Sequence, residues 1–243
     1  NIQRCPTMGA MIENMDINFG RVMEKLEELG LDENTIIVFT GDNGGNMYDG
    51  PDGVTPTNNY PLRAGKGNNY EGGVRVPLIV KVPGMTKPAS ESDVVVSTID
   101  HYTSILELLD VPFPEGAITD GVSYIPALKG KDYIREPIYS TFNHNVVATG
   151  NRANISMRHG PWKLYKFYFD GTDREHRYEL YNLENDIGET DNLVDEMPDK
   201  VQEMAAQLDA HVEEAGILLP NKNENYKGNV ADAWIGNEDT EIS

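Results

Sequence analysis

Residues 35–40 read Thr-Ile-Ile-Val-Phe-Thr, a β-branched and aromatic run without a charged residue. Such a run fits a strand covered on both faces, the kind found inside α/β layers, better than a strand with one face in water. What precedes it agrees. Met8, Met11, Ile12, Met15, Phe19, Val22, Met23, Leu26 and Leu29 recur at intervals of three and four, which places them on one stripe of a helix. Gly30 supplies the stop, and Asp32 to Asn34 turn the chain into the strand. A second buried strand is expected over residues 76–82. Ser97 and Asp100 form a capping-box pattern for a helix reaching Leu109, and a short strand over residues 138–142 closes this part.

After Gly150 the pattern changes. Residues 155–158, 162–169 and 178–183 are short strand candidates, with Asp170-Gly171 marking a hairpin turn. Val201, Met204, Ala205, Leu208 and Val212 then share one helical stripe that can pack on that sheet, and the tail from Asn221 is polar. The expectation is an α/β chain in two parts. Residues 1–150 contribute to a mixed, mostly parallel sheet flanked by helices, and residues 151–243 form a small α+β subdomain with an antiparallel sheet and a terminal helix. A length of 243 residues suits one main body plus a smaller unit.

Charge narrows the partners. Twenty Lys and Arg against forty Asp and Glu give a net charge of −20, which argues against nucleic acid or an anionic membrane surface and requires a local basic site for any anionic substrate. The single Cys5 excludes an internal disulfide framework. No apolar run approaches the roughly 20 residues of a membrane helix, and the amino end lacks the pattern of a signal peptide. Opening at Asn1 and entering a helix within a few residues, the chain reads as the middle of a longer protein or a processed product.

The strand at 35–40 runs into Gly-Asp-Asn-Gly-Gly at residues 41–45, followed by about thirty polar residues rich in Gly, Asn and Pro. Long irregular loops in compact domains are usually functional. Asp42 and Asn43 sit beyond the carboxyl end of a buried strand, where open α/β sheets place ligands, and offer a carboxylate and a carboxamide oxygen of the type that Ca²⁺ or Mg²⁺ takes. The same residues also make an ordinary turn. Lys66 lies between glycines that let the backbone approach a ligand, where an ammonium can meet an anionic oxygen. Alone, it reads equally as a solvated loop lysine. Glu71 and Arg75, four apart, suit an ion pair bracing the loop.

Taken in order, Thr-Gly-Asp-Asn-Gly-Gly and then Pro-Leu-Arg-Ala-Gly-Lys-Gly-Asn-Asn-Tyr-Glu-Gly-Gly-Val-Arg-Val-Pro at residues 61–77 resemble the type I sulfatases of the alkaline phosphatase superfamily. The resemblance continues through Met15-Asp16 and Gly30-Leu31, through Trp162-Lys163-Leu164, and through residues 179–183 and 188–193. It implies that Asp42 and Asn43 are calcium ligands, with Mg²⁺ the lesser candidate, and that Lys66 contacts the sulfate as a catalytic and substrate-binding residue. It also implies that His144 and Arg152 border the substrate pocket. The other histidines, His101, His159, His176 and His211, read as solvated or packing residues.

The family's nucleophile is a formylglycine made within Cys/Ser-x-Pro/Ala-x-Arg, and Cys5-Pro6-Thr7-Met8-Gly9 does not match it. The paired aspartates of the family's amino-terminal metal site are missing too. The resemblance is therefore to the carboxyl-terminal half of a sulfatase. The expected function is sulfuric ester hydrolysis, on a sulfated carbohydrate, once the missing amino-terminal half supplies the nucleophile. The chain alone is expected to be inactive, and the family places it in the periplasm or outside the cell. Alternatives are a phosphate or phosphonate ester hydrolase of the same superfamily and a non-catalytic sulfoglycan-binding protein.

Overall fold

The structure, a computed structural model, describes residues 5–48 and 53–222; the polar tail lies outside them from residue 223 on. In chain order the elements are α1 (Pro6–Glu28), β1 (Ile37–Thr40), the single turn α2 (Glu71–Val74), β2 (Leu78–Lys81), α3 (Asp100–Leu108), the short α4 (Ile125–Leu128), β3 (Ile138–Phe142), β4 (Asn154–His159), β5 (Trp162–Phe167), β6 (Arg177–Asn182) and α5 (Pro198–Glu214). Of the described residues, those within 1–14, 41–76 and 139–243 form one compact unit, and those within 15–40 and 77–138 form another.

In the second unit β1 and β2 pair antiparallel, with Ile37 opposite Lys81 and Thr40 opposite Leu78. Every residue of β1 is half-buried, and Phe39 meets Phe19 of α1 edge to face at 5.1 Å. The α1 stripe forms as read but no α1 residue is buried, and Ile79 of β2 is 62% exposed. Asp100, fully buried at the start of α3, accepts the Ser97 N–H at 2.8 Å, so one half of the capping box forms. Its carboxylate also accepts the Val122 N–H at 2.8 Å and pairs with Arg135 at 3.1 Å. A buried charge persists where such partners replace water.

In the first unit a four-stranded sheet has the order β3-β4-β5-β6, with β4, β5 and β6 antiparallel neighbours. Successive residues alternate between faces. One face presents Ile155, Met157, Leu164 and Leu180 to Met204 and Leu208 of α5, with Val201, Ala205 and Val212 packed against them. This is the helix-on-sheet contact the stripe implies. The turns differ from expectation. The two-residue connection is Gly160-Pro161, between β4 and β5, whereas β5 ends at Phe167 and the route to β6 through Asp170-Gly171 is longer, containing a 3₁₀ turn at Thr172–Arg174.

Candidate active site

Downstream of β1 in the chain, residues 42–48 lie against residues 59–75 backbone to backbone. The Gly44 N–H donates to the Gly73 carbonyl at 2.9 Å, and the Lys66 N–H donates to the Gly45 carbonyl at 3.0 Å. The Asn59 carboxamide accepts the Gly45 N–H at 3.2 Å and donates to the carbonyls of Gly45 and Ala64 at 3.1 and 2.9 Å. A Cβ on Gly44 would overlap the Gly72 carbonyl, and one on Gly73 the Asn68 carbonyl. Gly44 serves contact between the two loops and Gly73 contact within the second, a different use from the ligand approach suggested for the glycines flanking Lys66. The result is one scaffold bearing the exposed side chains of Asp42, Asn43 and Lys66. The Lys66 carbonyl is fixed as well, by the Tyr48 hydroxyl at 2.6 Å.

Residues 143–153 join this scaffold through Thr149, which sequence reasoning passed over. Its hydroxyl donates to the Gly67 carbonyl at 2.9 Å, and its carbonyl accepts from Asn68 at 3.4 Å. His144 is exposed, its ring 4.8 Å from that of Phe142 and its carbonyl bonded by Asn151. Arg152 is mostly buried and lies 3.5 Å from Asp170. Of the other histidines, His101 bonds the Tyr124 hydroxyl at 3.1 Å, His176 accepts the Phe169 N–H, and His211 stacks on Tyr139 at 3.7 Å. These are packing roles.

The second face of the sheet supports the Lys66 loop with buried polar groups. Lys163 donates to Glu71 at 2.6 Å and to the Asn69 carbonyl at 2.9 Å, and lies 3.5 Å from Glu189. Glu189 accepts the Glu71 N–H at 2.7 Å and a short hydrogen bond from the Tyr165 hydroxyl, which also reaches the Asn69 carbonyl at 3.0 Å. Asp186 shapes the turn that delivers Glu189, accepting the N–H groups of Thr190 and Asp191 at 2.7 and 2.9 Å. Arg75 pairs with Glu71 at 3.3 Å as expected, but from an exposed position, and it shares the carboxylate with Lys163 at 2.6 Å and Arg158 at 3.4 Å. Beside this, the Arg63 guanidinium lies 3.8 Å above the Tyr70 ring and bonds the Tyr181 hydroxyl at 2.8 Å, while both tyrosine hydroxyls donate to Glu179.

The carboxylates titrate apart. Burial pushes Glu71 up, yet Lys163, Arg158 and Arg75 outweigh it and hold its pKa below the usual carboxylate value. Burial prevails at Glu189, whose pKa is raised despite Lys163 and the Tyr165 hydrogen bond. Glu179 is lowered, because the Tyr70 hydrogen bond and Arg177 overcome its burial. Burial, followed by the Glu189 charge, holds the Tyr165 hydroxyl far above its normal range. The alternation Lys163, Tyr165, Phe167 against Glu179, Tyr181 is the sequence signal that could have exposed this face.

The donor set suits part of a hard-cation shell. Asp42 and Asn43 offer oxygen ligands of the kind Ca²⁺ takes, but a shell of six to eight needs others, and among the described residues no three His, Cys, Asp or Glu side chains cluster as a metal site. No helix of the described residues is long and apolar enough to cross a membrane.

A family model described as Sulfatase matches residues 1–111, and one described as N-sulphoglucosamine sulphohydrolase, C-terminal, matches residues 65–216. A protein named sulfatase from Formosa agariphila is 38% identical over 78% of this chain and 35% of its own length. An N-acetylgalactosamine-6-O-sulfatase from Bacteroides thetaiotaomicron is 34% identical over 84% of this chain and 41% of its own. The chain thus spans well under half the length of these curated relatives. A solved structure of Ps i-CgsB in complex with k-i-k-neocarrahexaose superposes with a TM-score of 0.69 at 29% identity, over 82% of this chain and 41% of that one. Another, in complex with its substrate D-glucosamine-2-N,6-O-disulfate, gives 0.64 at 25% identity, over 83% and 39%.

Proposed function

Because the chain belongs to the sulfatase family, we propose that it supplies the sulfate-binding part, and a share of the metal-binding part, of a sulfuric ester hydrolase acting on a sulfated carbohydrate. The observation that carries this reading is the pair of hydrogen bonds, Gly44 N–H to Gly73 and Lys66 N–H to Gly45, that fixes the Asp42-Asn43 turn and the Lys66 loop on one scaffold. Asp42 and Asn43 would hold Ca²⁺ in preference to Mg²⁺, which demands a stricter octahedral shell. Such an ion, when bound, polarises sulfate oxygens and offsets their charge. Lys66 presents its ammonium to a sulfate oxygen from a backbone held at both its N–H and its carbonyl, so little reorganisation accompanies charge build-up. The formylglycine nucleophile is assigned to a segment upstream of Asn1, which makes this chain alone inactive, and export to the periplasm or beyond accords with the family.

His144 and Arg152 are proposed to border the sugar. Support comes from Thr149, which ties their loop to Gly67 beside Lys66, from a relative named for 6-O-sulfated N-acetylgalactosamine and from a solved neighbour that holds a glucosamine disulfate. The test is Lys66→Ala in the full-length protein with a sulfate ester as substrate. Turnover should fall by on the order of a hundredfold or more, with the melting temperature little changed. Retention of full turnover would return Lys66 to an ordinary loop lysine.

A further inference from the structure

We propose that Lys163 is a positioning residue for the sulfatase reaction, its buried ammonium holding residues 69–73 and, through them, Lys66 and the Asp42-Asn43 turn. The inference rests on the functional reading above. An ammonium has three N–H donors and no acceptor. At Lys163, whose side chain is 3% exposed, three oxygens gather around it: the Asn69 carbonyl at 2.9 Å, Glu71 at 2.6 Å and Glu189 at 3.5 Å. Two of the three belong to the loop that carries Lys66. Asn69 lies three residues beyond Lys66, and its carboxamide is itself tied to Asn154 at 2.9 Å and to the Ser140 carbonyl at 3.2 Å. Glu71 opens α2, in which the Gly73 carbonyl receives the Gly44 N–H. A cation placed there, itself buried, fixes residues 69–71, between Lys66 and the Gly73 carbonyl that receives Gly44. Without it, the Asn69 carbonyl keeps only the Tyr165 hydroxyl, and the buried Glu71 and Glu189 lose their shared cation, so residues 69–73 lose the donor that ties them together.

Preorganised charge loses its effect when displaced by about an ångström, so the expected signature is kinetic as well as thermodynamic. The test is a double-mutant cycle in the full-length protein with a sulfate ester, turnover being expressed per folded molecule. Lys163→Met is expected to lower kcat roughly tenfold to a hundredfold when Lys66 is present, but by a factor about threefold or more smaller when Lys66→Ala is already in place, the remainder acting through the Asp42-Asn43 turn. Equal factors in both backgrounds, or an unchanged kcat per folded molecule, would overturn the positioning role. Full turnover by Lys66→Ala alone would overturn the functional reading itself, and this inference with it. If Lys163→Met does not fold, Lys163→Met/Glu71→Gln removes the paired charges together and is judged by the same criteria.

Discussion

The two faces of the β4–β6 sheet are both buried, and by opposite chemistry. Toward α5 the sheet presents Ile155, Met157, Leu164 and Leu180, whose contacts are non-directional and tolerate small shifts. Toward the Lys66 loop it presents Lys163, Tyr165, Glu179 and Tyr181, bonded to Asn69, Tyr70, Glu71 and Arg63. A hydrogen-bonded network admits far fewer arrangements than an apolar contact. The first face gives stability, whereas the second also gives a defined place to residues 61–75. Neighbouring positions on β5 separate the two.

Lys163→Met, which takes the shared cation from the buried Glu71 and Glu189, should lower stability by about 3–5 kcal/mol, read from denaturant unfolding. Leu164→Ala, one residue on and fully buried, should cost about 2–5 kcal/mol, yet leave kcat per folded molecule in the proposed enzyme nearly unchanged. If Leu164→Ala lowered kcat per folded molecule as much as Lys163→Met, the division of labour would fail. Tyr165→Phe should cost less, about 1–3 kcal/mol, by taking one donor from Asn69 and Glu189 while keeping the ring.

A smaller effect concerns pH. Glu71 and Glu179 have lowered pKa values, so the stability they contribute is present above the ordinary carboxylate pKa of 4.5 and is lost as pH falls through their folded values. Glu189 has the opposite sign. Its raised value means that the folded state binds a proton before the unfolded state does, so an unfavourable contribution at neutral pH is relieved as pH falls toward 4.5. Unfolding of wild type and Glu189→Gln at pH 7 and pH 5 should therefore show stability shifting toward the wild type on acidification. A difference independent of pH, or one shifting toward the variant, would contradict the assignment.

The apolar face was legible because its period is regular. The stripe from Val201 to Val212 and the strands around Ile155, Leu164 and Leu180 appear in the sequence as amphipathic elements, and the structure packs them together. Asp42, Asn43 and Lys66 were legible as residue types in a recognisable order. Their supports were not. Lys163, Glu71 and Glu189 are charged, and charged residues ordinarily lie at the surface. Glu189 reaches the interior from a turn with φ 54°, a backbone state its residue type does not announce. Thr149 and Asn59 act through hydrogen bonds that tie one loop to another, which leave no periodic trace. The Asp170-Gly171 pair suggested a tight hairpin, but the short turn fell at Gly160-Pro161, where the glycine takes φ 57°.

The central claim is that the polar face holds the loops of the proposed site in place while the apolar face holds the subdomain together. Hydrogen exchange on the 243-residue chain tests it directly, with Lys163→Met and Leu164→Ala compared against wild type. In Lys163→Met the amides of Gly44, Lys66 and Gly72 should exchange about tenfold faster or more relative to the Leu208 amide in α5, whereas in Leu164→Ala the larger acceleration should fall on α5. Loop amides as well protected in Lys163→Met as in wild type would contradict the account.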